Sequence, residues 1–277
     1  MWKEKIIETD RGSFEIFEKG QGEPLAVTHL YSEFNQKGNS MAAPFADYYH
    51  VYLINLRGAG RSVQACTADE YSMDETVKDL EAIRRALNYE EWAFAGHSTG
   101  GMLALKYAIH TPASLTKIIA GGAAASNEYG KDRDSIYCRK NPHFHRIMEI
   151  MALLNDPDTP LDVRQRVNYE WALMSYRSEE KLKEAMKKPN SGKTVGPRLN
   201  YFIQHESPNY DIREQLKGIR VPSYIYAGRF DAQCPLKFGE EIAELIPGAK
   251  LTVFEESNHN PFSEEEGQFI EFVKETL

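Results

Sequence analysis

The stretch Phe94–Ala108, FAGHSTGGMLALKYA, constrains the fold more than any other part of the chain. An apolar run ends here, a single serine stands between two glycines, and a helix-like apolar run follows. Glycine permits close contacts and backbone conformations that a side chain would block. Gly96 and Gly100 therefore indicate a tight turn from a strand into a helix, with the hydroxyl of Ser98 pointing outward at its apex.

Short apolar runs alternate with longer amphipathic runs on both sides of this turn, which is typical of a mostly parallel sheet covered by helices. We therefore predict an α/β fold with eight strands and helices on both faces of the sheet. The predicted strands are KEKIIET, GSFEIFEKG, PLAVTHL, YHVYLINLRG, EWAFAGH, LTKIIAGG, VPSYIYAG and AKLTVFEES. The predicted helices are SMDETVKDLEAIRRALNY, TGGMLALKYAIHTP, PLKFGEEIAELIPG and PFSEEEGQFIEFVKETL.

The alternation stops after Gly122, and the next ninety or so residues are polar, helix-like, aromatic-rich and punctuated by prolines. We predict that residues 126–217 form a helical cap inserted after the sixth strand. Residues 1–125 and 218–277 would then form the core. A chain of 277 residues fits one α/β domain with an insertion better than two independent folds.

Charge and composition exclude several classes of protein. A net charge of −8 argues against nucleic acid as a partner, because binding phosphates requires a basic surface. No apolar run approaches the ~20 residues of a membrane span, and MWKEKIIETD has no secretory h-region. Three widely spaced cysteines, Cys66, Cys138 and Cys234, indicate free thiols. We expect a cytoplasmic protein whose partner is a small molecule or short peptide, with no membrane partner; the oligomeric state stays open.

The candidate chemistry starts from Ser98. A G-x-S-x-G turn between a strand and a helix is the nucleophile elbow, but a serine hydroxyl is a weak nucleophile that needs an adjacent base. His259 and Asp231 each follow a predicted strand, so both lie at the edge of the sheet where sites form. The chain order Ser, Asp, His is the one expected after such an elbow. We therefore predict a triad of Ser98, Asp231 and His259.

Each member of this triad has an alternative interpretation. Ser98 would otherwise be a small residue buried in a turn. Asp231 would otherwise cap the helix PLKFGEE, a common role for aspartate. His29 competes with His259 as the base, although its position favours a role in shaping the loop after the third strand.

Four stretches resemble the α/β-hydrolase superfamily, and within it the proline iminopeptidase-like branch of S33-type serine peptidases. They are NLRGAGRS (Asn55–Ser62), GHSTGG (Gly96–Gly101), GRFD (Gly228–Asp231) and SNHNPFSEE (Ser257–Glu265). The resemblance covers both halves of the chain but not the middle insertion. It implies that Ser98 is the nucleophile, Asp231 the orienting carboxylate and His259 the general base and acid. It implies no metal or organic cofactor.

The resemblance also implies an oxyanion hole. One donor is the backbone N–H of Thr99, and the other is the N–H of Leu30 or Tyr31. The family usually has a glycine-rich loop after the third strand, whereas this chain has HLYSEF, His29–Phe34, and Asn55 replaces a common Asp. Loss of one oxyanion donor costs roughly 3–4 kcal/mol of transition-state stabilisation. The bulkier loop residues are expected to narrow the acyl pocket or alter the substrate.

Further substrate contacts are expected from the cap and from the loop after the third strand. Family peptidases hold the free amino end of the substrate with cap carboxylates, while cap aromatics either line the pocket or form the cap's own core. The candidates are His29, Glu170, Glu179, Glu206, Trp171 and Tyr201.

Together these features predict a serine hydrolase that acts by acyl transfer. The expected substrate is a small ester, or a peptide or amide with an N-terminal proline or small apolar residue. The protein would then be a carboxylesterase or a proline iminopeptidase-like aminopeptidase. The alternative is a non-catalytic ligand-binding or receptor protein on the same fold, because some such proteins keep the whole triad.

Overall fold

An eight-stranded sheet forms the centre of the protein, as seen in a computed structural model that describes residues 1–156 and 158–277. The strands are β1 (Lys3–Thr9), β2 (Gly12–Lys19), β3 (Glu23–Thr28), β4 (Tyr49–Ile54), β5 (Trp92–His97), β6 (Leu115–Gly121), β7 (Ser223–Gly228) and β8 (Lys250–Phe254). Their order across the sheet is β1-β2-β4-β3-β5-β6-β7-β8. Strand β2 is antiparallel to both its neighbours, and all other pairs are parallel. The predicted α/β class and its mostly parallel sheet are confirmed.

Helices cover both faces of this sheet, as predicted. The α-helices are α1 (Met73–Ala86), α2 (Thr99–His110), α3 (Phe144–Asn155), α4 (Leu161–Met174), α5 (Glu179–Met186), α6 (Gly196–Tyr201), α7 (Arg213–Leu216), α8 (Leu236–Leu245), α9 (Pro261–Glu264) and α10 (Glu266–Glu275). Side chains of α1, α2 and α8 join one apolar layer of the core, and those of α10 and the 3₁₀ turn Ala43–Asp47 join the other.

Alternate residues of the central strands enter these two layers. In β4, Tyr52 and Ile54 belong to the first layer and Val51 and Leu53 to the second. This follows from the two-residue period of a strand. Because both faces are covered, the central strands read as nearly continuous apolar runs, and that is why they could be predicted from the sequence.

The region after β6, called the cap here after the predicted insertion, is helical. Helices α3 to α7 lie there, and α6 continues into a π-helical turn at Phe202–Glu206. Buried side chains such as Val167, Leu182, Leu199 and Phe202 anchor these helices. The boundaries at residues 126 and 217 remain a prediction.

Two features differ from the predicted elements. Ser32–Glu33 pairs with Lys193–Thr194 in a short antiparallel sheet, which links the loop after β3 to the cap. The last predicted helix is divided into α9 and α10 at Glu265. The carboxylate of Glu265 accepts hydrogen bonds from the backbone N–H of Glu256 and the hydroxyl of Ser257, which holds this residue outside the helical conformation.

Candidate active site

Ser98 lies in the turn between β5 and α2. Its backbone has φ +57° and ψ −124°, a rarely populated combination for a residue with a side chain that stores about 1–3 kcal/mol of strain. The Ser98 N–H donates to the carbonyl of Gly121 (2.8 Å), and the Ser98 carbonyl accepts from the N–H of Met102 (3.0 Å). These backbone hydrogen bonds keep the serine at the end of the strand.

The glycines on either side of Ser98 are required by close backbone contacts. A Cβ at Gly96 would lie 2.0 Å from the carbonyl oxygen of Gly100, and a Cβ at Gly100 would lie 2.4 Å from the carbonyl oxygen of Thr28. The first oxygen belongs to helix α2 and the second to strand β3, so neither can move without displacing its element. The second contact also places the loop after β3 directly against the serine turn.

His259 and Asp231 meet across two neighbouring loops. Nδ1 of His259 lies 2.7 Å from Oδ2 of Asp231, and the two side chains are only 6% and 1% exposed. The other carboxylate oxygen of Asp231 accepts the backbone N–H groups of Gln233 (2.9 Å) and Cys234 (2.8 Å). Helix α8 begins at Leu236 with Pro235 as its N-cap, so Asp231 does not cap it.

The imidazole of His259 lies beside the serine turn. Its ring centroid is 4.4 Å from that of His97, the residue before Ser98. A Cβ at Gly122 would lie 2.9 Å from Cε1 of His259, and Gly122 follows the residue that accepts the Ser98 N–H. Within the described part of the chain the Ser98 hydroxyl makes no hydrogen bond that meets ordinary distance limits. In ligand-free sites such contacts are commonly long and shorten when substrate binds.

The loop that carries His259 is tied to the end of α4. The backbone N–H of His259 donates to the carbonyl of Ser175 (3.2 Å), and the side-chain amide of Asn260 donates to the same carbonyl (2.9 Å). The side-chain amide of Asn258 donates to the carbonyls of Met174 (3.1 Å) and Tyr176 (3.3 Å). Sequence analysis did not single out these asparagines, although SNHN was part of the family resemblance.

The loop after β3 packs against the first residue of α2. Oγ1 of Thr99 lies 3.2 Å from Nε2 of His29, and Oγ of Ser32 lies 3.0 Å from Nδ1. The Thr99 N–H opens α2 and has no acceptor within its own helix. The Tyr31 N–H lies 3.5 Å from Nδ1 of His29, the outer limit of a hydrogen bond. The predicted oxyanion donors therefore belong to two segments that are in contact.

His29 is a neutral side chain in this setting. Burial, followed by the nearby charges of His259 and Arg198, lowers the pKa of His29 to about 3. His29 therefore lies at the predicted oxyanion loop but carries no charge at ordinary pH.

This low pKa predicts a loss of stability in acid. At pH values between the ordinary histidine pKa of about 6.5 and the lower pKa of His29 in the folded protein, this side chain is protonated in the unfolded chain but not in the folded one. The free energy of unfolding therefore falls as the pH falls. Lowering the pH from 7 to 5 should therefore cost about 2 kcal/mol through His29. We expect His29→Gln to remove this contribution from the free energy of unfolding, measured with urea at both pH values. His143→Gln, at an exposed histidine, should keep the wild-type pH dependence; equal pH dependence in all three proteins would contradict a neutral, enclosed His29.

The two cap aromatics proposed for substrate binding lie in different surroundings. The indole N–H of Trp171 is buried and has no hydrogen-bond partner among the described residues. The Tyr201 hydroxyl lies 3.4 Å from a carboxylate oxygen of Asp69, and its ring packs 4.8 Å from that of His205. Trp171 therefore remains a candidate for substrate contact, whereas Tyr201 contacts the segment before α1.

The three cap carboxylates proposed to bind a substrate amine all have partners within the protein. The partners are the guanidinium of Arg146 for Glu170 (2.6 Å), the ammonium of Lys183 for Glu179 (2.9 Å) and the backbone N–H of Met73 for Glu206 (2.7 Å). Glu170 and Glu179 are thus held in ion pairs on the cap. Glu206 is held at the first turn of α1 through one oxygen, and its other carboxylate oxygen is buried with no hydrogen-bond partner among the described residues.

Three tyrosines that were not predicted as site residues or were assigned only a backbone role lie near the loops of the triad and the loop after β3. Tyr31, Tyr129 and Tyr137 are half-buried. The ring of Tyr31 lies 4.5 Å from that of His29, and the rings of Tyr129 and Tyr137 lie 6.4 Å apart. Burial raises the pKa of all three phenols. The Tyr137 hydroxyl donates to the side-chain carbonyl of Gln233 (2.7 Å). These three side chains are therefore aromatic and uncharged.

No helix in residues 1–156 and 158–277 is long and apolar enough to cross a membrane.

The sheet order and the serine turn define an α/β hydrolase. Comparison with known families agrees: the family described as alpha/beta hydrolase fold matches residues 28–266. The chain belongs to this family, and the predicted superfamily is confirmed.

Individual relatives are similar over the whole chain. A solved structure of an alpha/beta fold family hydrolase from Bacillus anthracis str. Sterne is 61% identical, covers 100% of both chains and superposes with a TM-score of 0.99. A proline iminopeptidase of Heyndrickxia coagulans is 26% identical over 100% of this chain and 99% of its own length. A pimeloyl-[acyl-carrier protein] methyl ester esterase of Aliivibrio fischeri is 22% identical over 94% of this chain and 95% of its own. The predicted similarity to proline iminopeptidases is therefore confirmed, and an ester hydrolase is also among the relatives.

Proposed function

We propose that the protein is a serine hydrolase that cleaves small, uncharged esters by acyl transfer. The observation that carries this proposal is the buried 2.7 Å contact between His259 and Asp231 beside the strained turn of Ser98. A carboxylate on Nδ1 keeps the proton on that nitrogen and leaves Nε2 free to accept the serine proton. This is the arrangement that activates an otherwise weak nucleophile.

The reaction would proceed in two similar halves. His259 takes the proton of Ser98 as the hydroxyl oxygen attacks the carbonyl carbon, and Asp231 stabilises the imidazolium that forms. The N–H of Thr99 and an N–H of the Leu30–Tyr31 segment stabilise the oxyanion. His259 then protonates the leaving alcohol, and a water molecule releases the acyl group by the same steps.

The surroundings of the site favour an ester over a prolyl peptide. Two of the cap carboxylates that would hold a substrate ammonium, Glu170 and Glu179, are engaged in ion pairs, and Glu206 accepts the N–H of Met73 through one of its two oxygens. The tyrosines near the triad loops are uncharged phenols, and a phenol offers little compensation for burying an ammonium group. An N-terminal prolyl peptide is the second candidate, because a relative named proline iminopeptidase is similar over the whole chain.

A pair of substrates of equal ring size separates these candidates. Methyl cyclopentanecarboxylate and proline methyl ester present the same reacting bond and differ in the ring amine. We expect kcat/KM for the uncharged ester to exceed that for the amino ester by at least tenfold, as about 1.4 kcal/mol of unfavourable amine burial would produce. A preference for proline methyl ester, together with cleavage of proline-p-nitroanilide, would instead assign an aminopeptidase.

Labelling with a fluorophosphonate probe separates a hydrolase from a non-catalytic protein on the same fold. The intact protein should react with the probe at Ser98, as located by peptide mass spectrometry. A protein that neither reacts with the probe nor cleaves any ester of a short-chain p-nitrophenyl series would be a ligand-binding protein.

A further inference from the structure

Arg198, in the cap helix α6, is buried to 1% exposure. Its guanidinium donates to three acceptors: Nε to the carbonyl of Leu30, Nη1 to the carbonyl of Arg57 (3.0 Å) and Nη2 to the hydroxyl of Thr76 (2.7 Å). These acceptors belong to the loop after β3, the loop after β4 and helix α1. One cap side chain therefore joins three segments of the core.

The charge of Arg198 is unusual for a buried group. In the described part of the chain no carboxylate lies within 4 Å of its guanidinium, whereas buried charges are normally paired. Burial lowers the pKa of Arg198 to about 10, so the side chain is still protonated at neutral pH. Because burying a cation is costly, its hydrogen bonds to backbone carbonyls indicate that the positions of those carbonyls must be fixed.

Residues 193–198 of the cap contact residues 30–33 of the loop after β3 in antiparallel order. Lys193–Thr194 pairs with Ser32–Glu33, and the N–H of Val195 donates to the carbonyl of Tyr31 (2.8 Å). Arg198 then binds the carbonyl of Leu30. The loop that lacks the glycine-rich pattern of the family is thus held by the cap.

We propose that Arg198 is a positioning residue for the oxyanion hole, holding the Leu30–Tyr31 peptide so that its N–H, whose contact with Nδ1 of His29 is only at 3.5 Å, is available to the reacting carbonyl. This rests on the proposed function. The carbonyl bound by Arg198 and the N–H of Tyr31 belong to the same planar peptide group and point in opposite directions. Fixing the carbonyl therefore fixes the direction of the N–H. A charge-assisted hydrogen bond to the carbonyl also polarises the peptide and strengthens its N–H as a donor.

Arg198→Met, which keeps an unbranched apolar side chain and removes the guanidinium with its hydrogen bonds, tests this role. With p-nitrophenyl butyrate we expect kcat to fall by about 10²–10³-fold, the loss typical of one oxyanion donor, while KM changes less than threefold. Arg146→Met, at a cap arginine in a surface ion pair with Glu170, should leave both constants unchanged. An Arg198→Met enzyme with wild-type kcat would overturn the proposal.

Inhibitors separate a positioning role from a general loss of structure. A butyl trifluoromethyl ketone forms an oxyanion on Ser98, whereas the corresponding secondary alcohol occupies the site without one. In Arg198→Met the Ki of the ketone should rise by the same factor as kcat falls, and the Ki of the alcohol should stay constant. Equal weakening of both inhibitors would show that Arg198 only supports the fold.

Thr76 provides a milder test if Arg198→Met does not fold. Thr76→Val removes one acceptor of the guanidinium, and Thr76→Ser retains a hydroxyl there. We expect the valine variant to lose kcat by about three- to tenfold, as the loss of roughly one hydrogen bond predicts, with the same selective effect on the ketone. The serine variant should be close to wild type; identical values in the two variants would overturn the proposal. Full activity in Ser98→Ala would instead refute the proposed function, whatever the Arg198 variants do.

Discussion

Replacing Ser98 with Ala should lower kcat for p-nitrophenyl butyrate by about six orders of magnitude. The substitution removes the attacking oxygen, so the remaining oxyanion donors and binding groups supply only the residual acceleration. KM should change little, because the substrate is held by other groups. Labelling by the fluorophosphonate probe should disappear in the same preparation. A loss of less than a hundredfold would show that the activity arises at another residue.

Two controls keep this result specific. The Ser98 hydroxyl makes no hydrogen bond within the described residues, so Ser98→Ala should melt within a degree or two of the wild type. A lower melting temperature would mean that the hydroxyl has a structural role. Ser40→Ala, in the loop before the 3₁₀ turn Ala43–Asp47, should keep both labelling and kcat.

The parts of the site that could be predicted from the sequence are those defined by local patterns. A Cβ at Gly96 or Gly100 would lie 2.0 or 2.4 Å from a backbone carbonyl oxygen. Glycine is therefore required at both positions, and the resulting G-x-S-x-G pattern is visible in the sequence. Asp231 and His259 follow apolar strands, so the common edge of a parallel sheet brings them together. Their contact across 28 residues follows from topology and needed no knowledge of side-chain packing.

The cap could not be predicted in the same way, because its contacts are distant and its residue types are ambiguous. Arg198 reads as an ordinary exposed arginine, yet its acceptors lie 168, 141 and 122 residues away. Glu170 and Glu206 were both eligible to bind substrate, and only the structure gives their partners, Arg146 and the N–H of Met73. The sequence does not show which partner a long polar side chain contacts in the folded protein.

The contacts of the cap indicate that it does more than cover the site. The carbonyls at the end of α4 hold the His259 loop through Asn258 and Asn260, and Arg198 holds the loop after β3. Two of the four segments that supply the proposed machinery, the His259 loop and the loop after β3, are thus held by the cap, whereas the serine turn is held by the sheet and α2. A cap so connected would be part of the proposed catalytic scaffold, and its displacement would disturb the proposed base and oxyanion hole together.

Replacing Asp231 with Asn should lower kcat by about 10⁴-fold with little change in KM. One carboxylate oxygen accepts the N–H groups of Gln233 and Cys234, so the asparagine carbonyl must take that place because an amide NH₂ cannot accept. The NH₂ then faces Nδ1 of His259, which must become an acceptor. The imidazole is forced into the tautomer with its proton on Nε2, and in that form it cannot take the proton of Ser98.

The rate of fluorophosphonate labelling should fall with kcat, since both depend on the activated hydroxyl. The variant should fold normally, because Asn has nearly the shape of Asp and keeps the two backbone hydrogen bonds. Asp132→Asn makes the same change of charge at a carboxylate paired with Lys237 and should leave kcat unchanged. If Asp231→Asn retained more than a tenth of the wild-type kcat, the tautomer of His259 would not depend on this carboxylate, and another group would have to orient the base.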